Sequence, residues 1–202
     1  MSHPPVVLVH GFLATPTLMS PMRWRLERGG RRVVTPKLSP LCIQDVRKLA
    51  RQLDVTVERA RRELGQERVD VVGVSQGGIL SLWWAHHVGG WSKVRRLVLV
   101  GSPVRGTWAA AAGLPVLGAV SRGIWQMLPS SPFLPELDVD LPSNADLTTL
   151  SIRGDPVCPA ERCAVRGADN QVFDGPPGPL KHQYLIFSRP VFRHLEGVLD
   201  RR

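Results

Sequence analysis

Residues 69–79 read VDVVGVSQGGI, and the fold turns on how this stretch ends. Val69 to Val74 is a short apolar run rich in valine, the composition of a strand buried on both faces. Ser75-Gln76-Gly77-Gly78 cannot continue it, and Ile79 to Trp84 opens a helical stretch. Gly73-Val74-Ser75-Gln76-Gly77 therefore fits the pattern G-x-S-x-G between a strand and a helix. A turn this sharp forces its serine into a strained backbone conformation. Side chains two positions to either side would collide across it, and glycines avoid the collision. The spacing predicts a Ser75 hydroxyl raised above the C-terminal edge of a sheet. A helix N-terminus behind it would favour developing negative charge. A turn serine with no chemistry is the plainer alternative, so its surroundings decide.

Outward from this turn, apolar runs bounded by turn residues recur at 6–11 (VVLVHG), 32–36 (RVVTP), 94–102 (VRRLVLVGS) and 147–154 (LTTLSIRG), with a weaker one near Gln171 to Phe173. Helical patterns alternate with them at 17–28, 76–89 and 189–200. The clearest runs from Ile43 to about Leu64, where Val46, Leu49, Ala50, Leu53, Val57, Ala60 and Leu64 share one face. Arg47, Arg51, Arg61 and Arg62 fall on the opposite, solvated face, and Gly65 suits a C-terminal stop. The alternation predicts an α/β fold: a doubly wound, mostly parallel sheet of about six strands with helices on both faces. No repeat or linker divides the chain, so one domain is expected over 1–202.

A nucleophilic serine needs an oxyanion hole, a base and an orienting acid. The first strand runs into His10-Gly11-Phe12. Its end can lie beside the serine turn, so that the N–H groups of Phe12 and Gln76 converge on one oxygen. His10 is then a structural residue that bonds its own loop. Of the other histidines, His3 is terminal, His86 and His87 lie at the far end of the helix after Ser75, and His194 falls inside the last helix. His182 remains, in the Gly- and Pro-rich loop GPPGPLKHQYLIFS, and a loop above the sheet is where a base must stand. For the acid, Asp155 follows the fifth strand directly, with Asp174 as the rival; Asp138, Asp140 and Asp146 precede that strand and fit less well.

Residues 106–134, GTWAAAAGLPVLGAVSRGIWQMLPSSPFL, break the rhythm: strongly apolar, almost uncharged and punctuated by glycine and proline. They are not a strand. They read either as a core helix with its following loop, or as a lid or acyl-binding wall to which Trp108, Leu117, Trp125 and Leu128 would contribute apolar surface.

Composition bounds the partners. The chain has 202 residues, 43% hydrophobic and 21% charged, which is globular. Its formal charge of +9 would suit nucleic acid. The basic residues are scattered, however, and neither a recognition helix nor zinc spacing accompanies them, so no nucleic-acid partner is expected. No apolar run approaches the roughly 20 residues of a membrane span. The opening PPVVLVHGF runs straight into a core strand rather than a signal segment, which reads as cytoplasmic. Three cysteines, Cys42, Cys158 and Cys163, leave at least one unpaired. A Cys158–Cys163 disulfide in a processed, secreted chain and two free thiols both remain open. No metal or other cofactor is implied.

At this point the chain resembles the α/β-hydrolases, and among them the small bacterial triacylglycerol lipases and esterases. The resemblance rests on VVLVHGF, GVSQGG, GSPVRGT, RGDPV and HQYLIFSRPVFRHL and covers nearly the whole chain. It implies a Ser75–Asp155–His182 triad, in the chain order expected of that fold, with Phe12 and Gln76 as the oxyanion hole. Because the chain starts at the HGF strand, it also implies a minimal six-stranded core. The activity implied is hydrolysis of small-molecule or lipid esters with aliphatic acyl chains, at a lipid–water interface in the lipase case. An acyltransferase or thioesterase would use the same residues.

Overall fold

The computed structural model describes residues 3–38 and 40–201. Six strands, β1 (Val6–Val9), β2 (Val33–Val34), β3 (Val69–Val74), β4 (Val94–Val100), β5 (Leu147–Ile152) and β6 (Asp169–Phe173), form one sheet. Their order is β2-β1-β3-β4-β5-β6 and every pairing is parallel. All six expected strands are present; β1, β2, β4 and β5 are trimmed where the turns after them begin, and β6 starts two residues before Gln171.

The pleat divides the core in two, because successive side chains point to opposite faces. Val7, Val9, Val71, Leu97 and Leu99 face a cluster with the helices α2 (Val46–Leu64) and α3 (Gln76–His87). Val6, Leu8, Val72, Val74, Val98 and Val100 face a second cluster with α1 (Ser20–Arg28) and α8 (Arg189–Asp200). Helix α2 begins at Val46 rather than Ile43. The Asp45 side chain caps it by accepting from Arg47 N, and left-handed Gly65 (φ 61°) ends it. Arg47 is not a merely solvated residue: it pairs with Glu136 and stacks over Phe133 at 5.1 Å.

The apolar segment divides into α4 (Trp108–Leu117) and α5 (Arg122–Gln126). Only Ala110 of α4 is buried, so α4 is no core helix. Helix α5 is anchored: Ser121 Oγ donates to the Ile43 carbonyl at 2.8 Å, and Gln126 Nε2 donates to Asp45 at 3.0 Å. Among the described residues no helix is long and apolar enough to cross a membrane.

At the N-terminal edge of the sheet, fully buried Asp70 accepts two bonds from Arg95, at 2.9 and 2.6 Å, and lies 3.9 Å from buried Arg31. Arg95 also donates to the Leu199 carbonyl, tying α8 to the sheet. Removing one partner of such a group strands the others in low dielectric. Asp70→Ala is therefore expected to cost about 3 kcal/mol, the lower end of the usual range because Arg95 can swing toward water. A thermal melt should show a fall of more than about 6 °C, with the specific activity of the remaining folded protein unchanged.

Candidate active site

The strand order reverses at β1, which has β2 on one side and β3 on the other. In open parallel sheets the crevice at such a switch point, beyond the C-terminal ends of the strands, is where ligands bind. Here it lies between the loop after β1 and the turn after β3, which carry Phe12 and Ser75.

Ser75 adopts φ 55°, ψ −127°, the strained geometry that the G-x-S-x-G spacing predicts. The flanking glycines are sterically obligatory. A Cβ at Gly73 would lie 2.5 Å from the Gly78 Cα, and one at Gly77 2.4 Å from the Val9 carbonyl oxygen. The β1 loop presses on the same turn: a Cβ at Gly11 would come within 2.9 Å of the Ser75 Cβ and 3.3 Å of the Gln76 nitrogen. Among the described residues, neither the Phe12 nor the Gln76 N–H has an acceptor. An unpaired N–H at the N-terminus of α3 and one in the facing β1 loop are suited to hold an oxyanion.

The β1 loop is itself braced. Leu13 N donates to the Leu41 carbonyl at 2.7 Å, and His10 Nδ1 lies 3.2 Å from the Gly11 carbonyl and 3.4 Å from Cys42 Sγ. Burial lowers the His10 pKa, and the Gly11 contact offsets this only in part. His10 is thus a neutral brace, and burial pushes the Cys42 thiol up to about 12.

His182 sits in a one-turn helix, α7 (Lys181–Tyr184), within the stretch read from sequence as loop. Its Nδ1 lies 2.9 Å from Asp155 Oδ2. The other oxygen, Oδ1, accepts from Val157 N at 2.8 Å and Cys158 N at 3.0 Å, so the buried carboxylate is aimed from both ends. Asp174 instead lies on the surface beside Arg153. Asp138 and Asp140 pair with Arg166, and Asp146 with Arg96. His3 stands beside Asp200; His86 and His87 cluster with Trp91, Trp83 and Glu136; His194 packs edge-on to Phe173.

Two further residues shape the site. Gly101, at φ 56° just past β4, leaves room for the imidazole: a Cβ there would lie 3.3 Å from His182 Cε1. Its signal in the sequence is a glycine closing a buried strand. Cys158 Sγ lies 4.0 Å from His182 Nε2, and Cys163 Sγ donates to the Cys158 carbonyl at 3.5 Å. All three cysteines are free and buried, so Cys158 and Cys163 form no disulfide in this structure.

The four expected acyl-wall residues do not share one surface. Trp108 is exposed under the Arg162 guanidinium, next to Thr107, whose hydroxyl donates to the Val157 carbonyl in the Asp155 turn. Leu117 packs half-buried on the core. Trp125 and Leu128 line a separate hollow of about 450 Å³ with Asp45, Arg47 and Arg122, bordered by neither Ser75 nor His182. The Trp125 indole donates to the Gly118 carbonyl at 2.8 Å, which ties it to its own segment. Among the described residues, no group of three or more His, Cys, Asp or Glu side chains could hold a metal ion.

Several solved structures share this architecture. The mature lipase BlEst2 of Bacillus licheniformis superposes with a TM-score of 0.79 at 18% identity, covering 98% of this chain and 92% of that one. The esterase EaEST of Exiguobacterium antarcticum gives 0.70 at 18% identity, covering 99% and 93%. The lin2722 product of Listeria innocua gives 0.70 at 17% identity, covering 99% and 95%. At such identities these likenesses speak to the fold. No curated protein matches the chain by sequence. The family model for the alpha/beta hydrolase fold matches residues 4–119, a span that takes in β1, the switch point, the Ser75 turn and β4. That is more than half of the 202 residues, and the chain therefore belongs to the α/β-hydrolase fold family.

Proposed function

We propose that the protein is a serine hydrolase of carboxylic esters with aliphatic acyl chains. One relation carries the proposal: a buried carboxylate aims an imidazole, through a 2.9 Å hydrogen bond, at the sheet edge that also bears the strained Ser75. In this reading Asp155 holds His182 with its proton on Nδ1, leaving Nε2 free as a base. Ser75 Oγ attacks the ester carbonyl as its proton passes to Nε2, and the N–H groups of Phe12 and Gln76 hold the oxyanion. His182 returns the proton to the departing alcohol. Water, activated the same way, then releases the acid from the acyl-enzyme.

The substrate class follows from the rim. Leu13 beside Phe12, Leu41 bonded to Leu13, Trp108 beside the Asp155 turn and Leu180 two residues before His182 are all exposed. Apolar side chains standing so close to the reacting groups suit an acyl chain, and they suit contact with a lipid–water interface. Helix α4, apolar and largely exposed, extends that surface and is the part of 106–134 free to act as a lid. The test is a profile over p-nitrophenyl esters from acetate to palmitate. Hydrolysis is expected throughout, with kcat/KM rising by about tenfold or more from acetate to the medium chains, since each methylene buried is worth about 0.8 kcal/mol. Failure to cleave any ester would sink the reading. Dominance of a transesterified product when an alcohol is added would move it to an acyltransferase.

A further inference from the structure

A hollow of about 680 Å³ opens between the loop after β4, residues 129–139 and the stretch after α6 (Ala160–Cys163). Its size falls within the roughly 300–1,000 Å³ of small-molecule sites. None of Ser75, Phe12, Gln76 and His182 borders it. Its aliphatic lining comes from Val104, Leu134, Leu137 and Val165, core side chains each at most 9% exposed. Pro129, Pro132 and Pro135 wall it, and the fixed φ of proline keeps that wall stiff. Gly106, at φ 75°, seats the β4 loop on the same wall: a Cβ there would lie 2.8 Å from the Pro129 Cα. The hollow is therefore formed before any ligand arrives. Charge around it is uneven. Arg166 is engaged by Asp140 at 2.9 Å and Asp138 at 3.8 Å. Arg105 is held only through its backbone: its N donates to the Arg162 carbonyl at 3.0 Å, and its carbonyl accepts from the Arg162 guanidinium at 2.9 Å. Among the described residues, the exposed Arg105 guanidinium itself has no hydrogen bond and no ion pair.

We infer that this hollow is a binding site for an aliphatic carboxylate, its chain on the Val104, Leu134, Leu137 and Val165 lining and its head on Arg105. Each methylene that leaves water for such a lining favours binding. One free guanidinium matches a single negative charge, and its planar fork fits the paired oxygens of a carboxylate. An alcohol of the same length would leave that cation without a charged partner. An ammonium would be repelled by it. An acid of this class is what the proposed reaction would release. The site nevertheless rests on the hollow's own residues and stands whether or not Ser75 is a nucleophile.

The test follows the methyl resonances of the labelled protein by NMR as octanoate is added. The Val104, Leu134 and Val165 methyls are expected to shift together and to saturate with a Kd of about a millimolar or below. Arg105→Gln is expected to weaken that binding about tenfold. Its melting temperature should match wild type, because the guanidinium has no partner to lose. Arg122→Gln removes the same charge from the neighbouring hollow, and is expected to change the affinity by less than about twofold, the size of a screened, distant charge. Octanol is expected to bind about tenfold more weakly than octanoate, and octyltrimethylammonium more weakly still. Shifts confined to the active-site rim, at Leu13 for example, would overturn the inference. So would a lack of saturation by about 20 mM octanoate, equal losses in the two arginine variants, or octanol binding as tightly as octanoate.

Discussion

Ser75→Ala is expected to lower kcat for ester hydrolysis by about a millionfold while the melting temperature stays within a degree or two of wild type. The size follows from how such groups work as a unit. Without the hydroxyl no acyl-enzyme can form. His182 and Asp155 are left aimed at nothing, and only the N–H groups of Phe12 and Gln76 still act on a bound ester. The small stability change follows from the surroundings. Ser75 is only half-buried, so the loss of one oxygen leaves no cavity in the core. The backbone strain at φ 55° weighs on alanine as it does on serine. Turnover measured with a chromogenic ester, beside a thermal melt, separates chemistry from folding. A folded variant with wild-type turnover would falsify the nucleophile assignment.

The parts of this molecule that were legible in its sequence are those fixed by neighbours along the chain. The strands read clearly because each is a short β-branched run whose alternate side chains enter different core clusters, as Val71 and Val72 do. The turn at Ser75 read clearly because its strain and its glycine requirement are local. His182 and Asp155 could be placed because both follow strands, and the sheet delivers strand ends to one edge. What stayed hidden depends on distant partners. Helix α2 starts at Val46 behind the Asp45 cap, and the Val46 N–H that this start leaves free is taken by Gln126, 80 residues away. Arg47 looked solvated because Glu136 is far along the chain. Apolar composition over 106–134 could not say which helix is anchored, since the anchors Ile43 and Asp45 belong to the entry of α2. The spacing of Cys158 and Cys163 left a bridge and two free thiols equally open. The direction of the Cys158 sulfur is instead set by the Asp155 turn, which aims it at His182.

The two carboxylates that compete in sequence for the role of acid differ enough in setting to be told apart by one substitution each. Asp155→Asn is expected to lower kcat by about 10⁴-fold; Asp174→Asn is expected to stay within about twofold, as surface changes away from a site usually do. In Asp155→Asn the amide oxygen can still accept from Val157 N and Cys158 N, so the turn and the fold should persist. That arrangement presents the NH₂ group to His182 Nδ1, where the carboxylate oxygen stood at 2.9 Å. An amide donor facing Nδ1 drives the imidazole proton to Nε2. The nitrogen that should take the Ser75 proton is then already occupied. The loss therefore belongs in kcat rather than KM, because the apolar rim proposed to receive the acyl chain is untouched. Asp174 pairs with Arg153 in solvent, its side chain 89% exposed, and touches neither His182 nor the turn. Steady-state kinetics on the two variants decide the matter. If Asp174→Asn were the crippled enzyme and Asp155→Asn the active one, the acid would have to be moved to Asp174, and His182 would need a rearrangement to reach it.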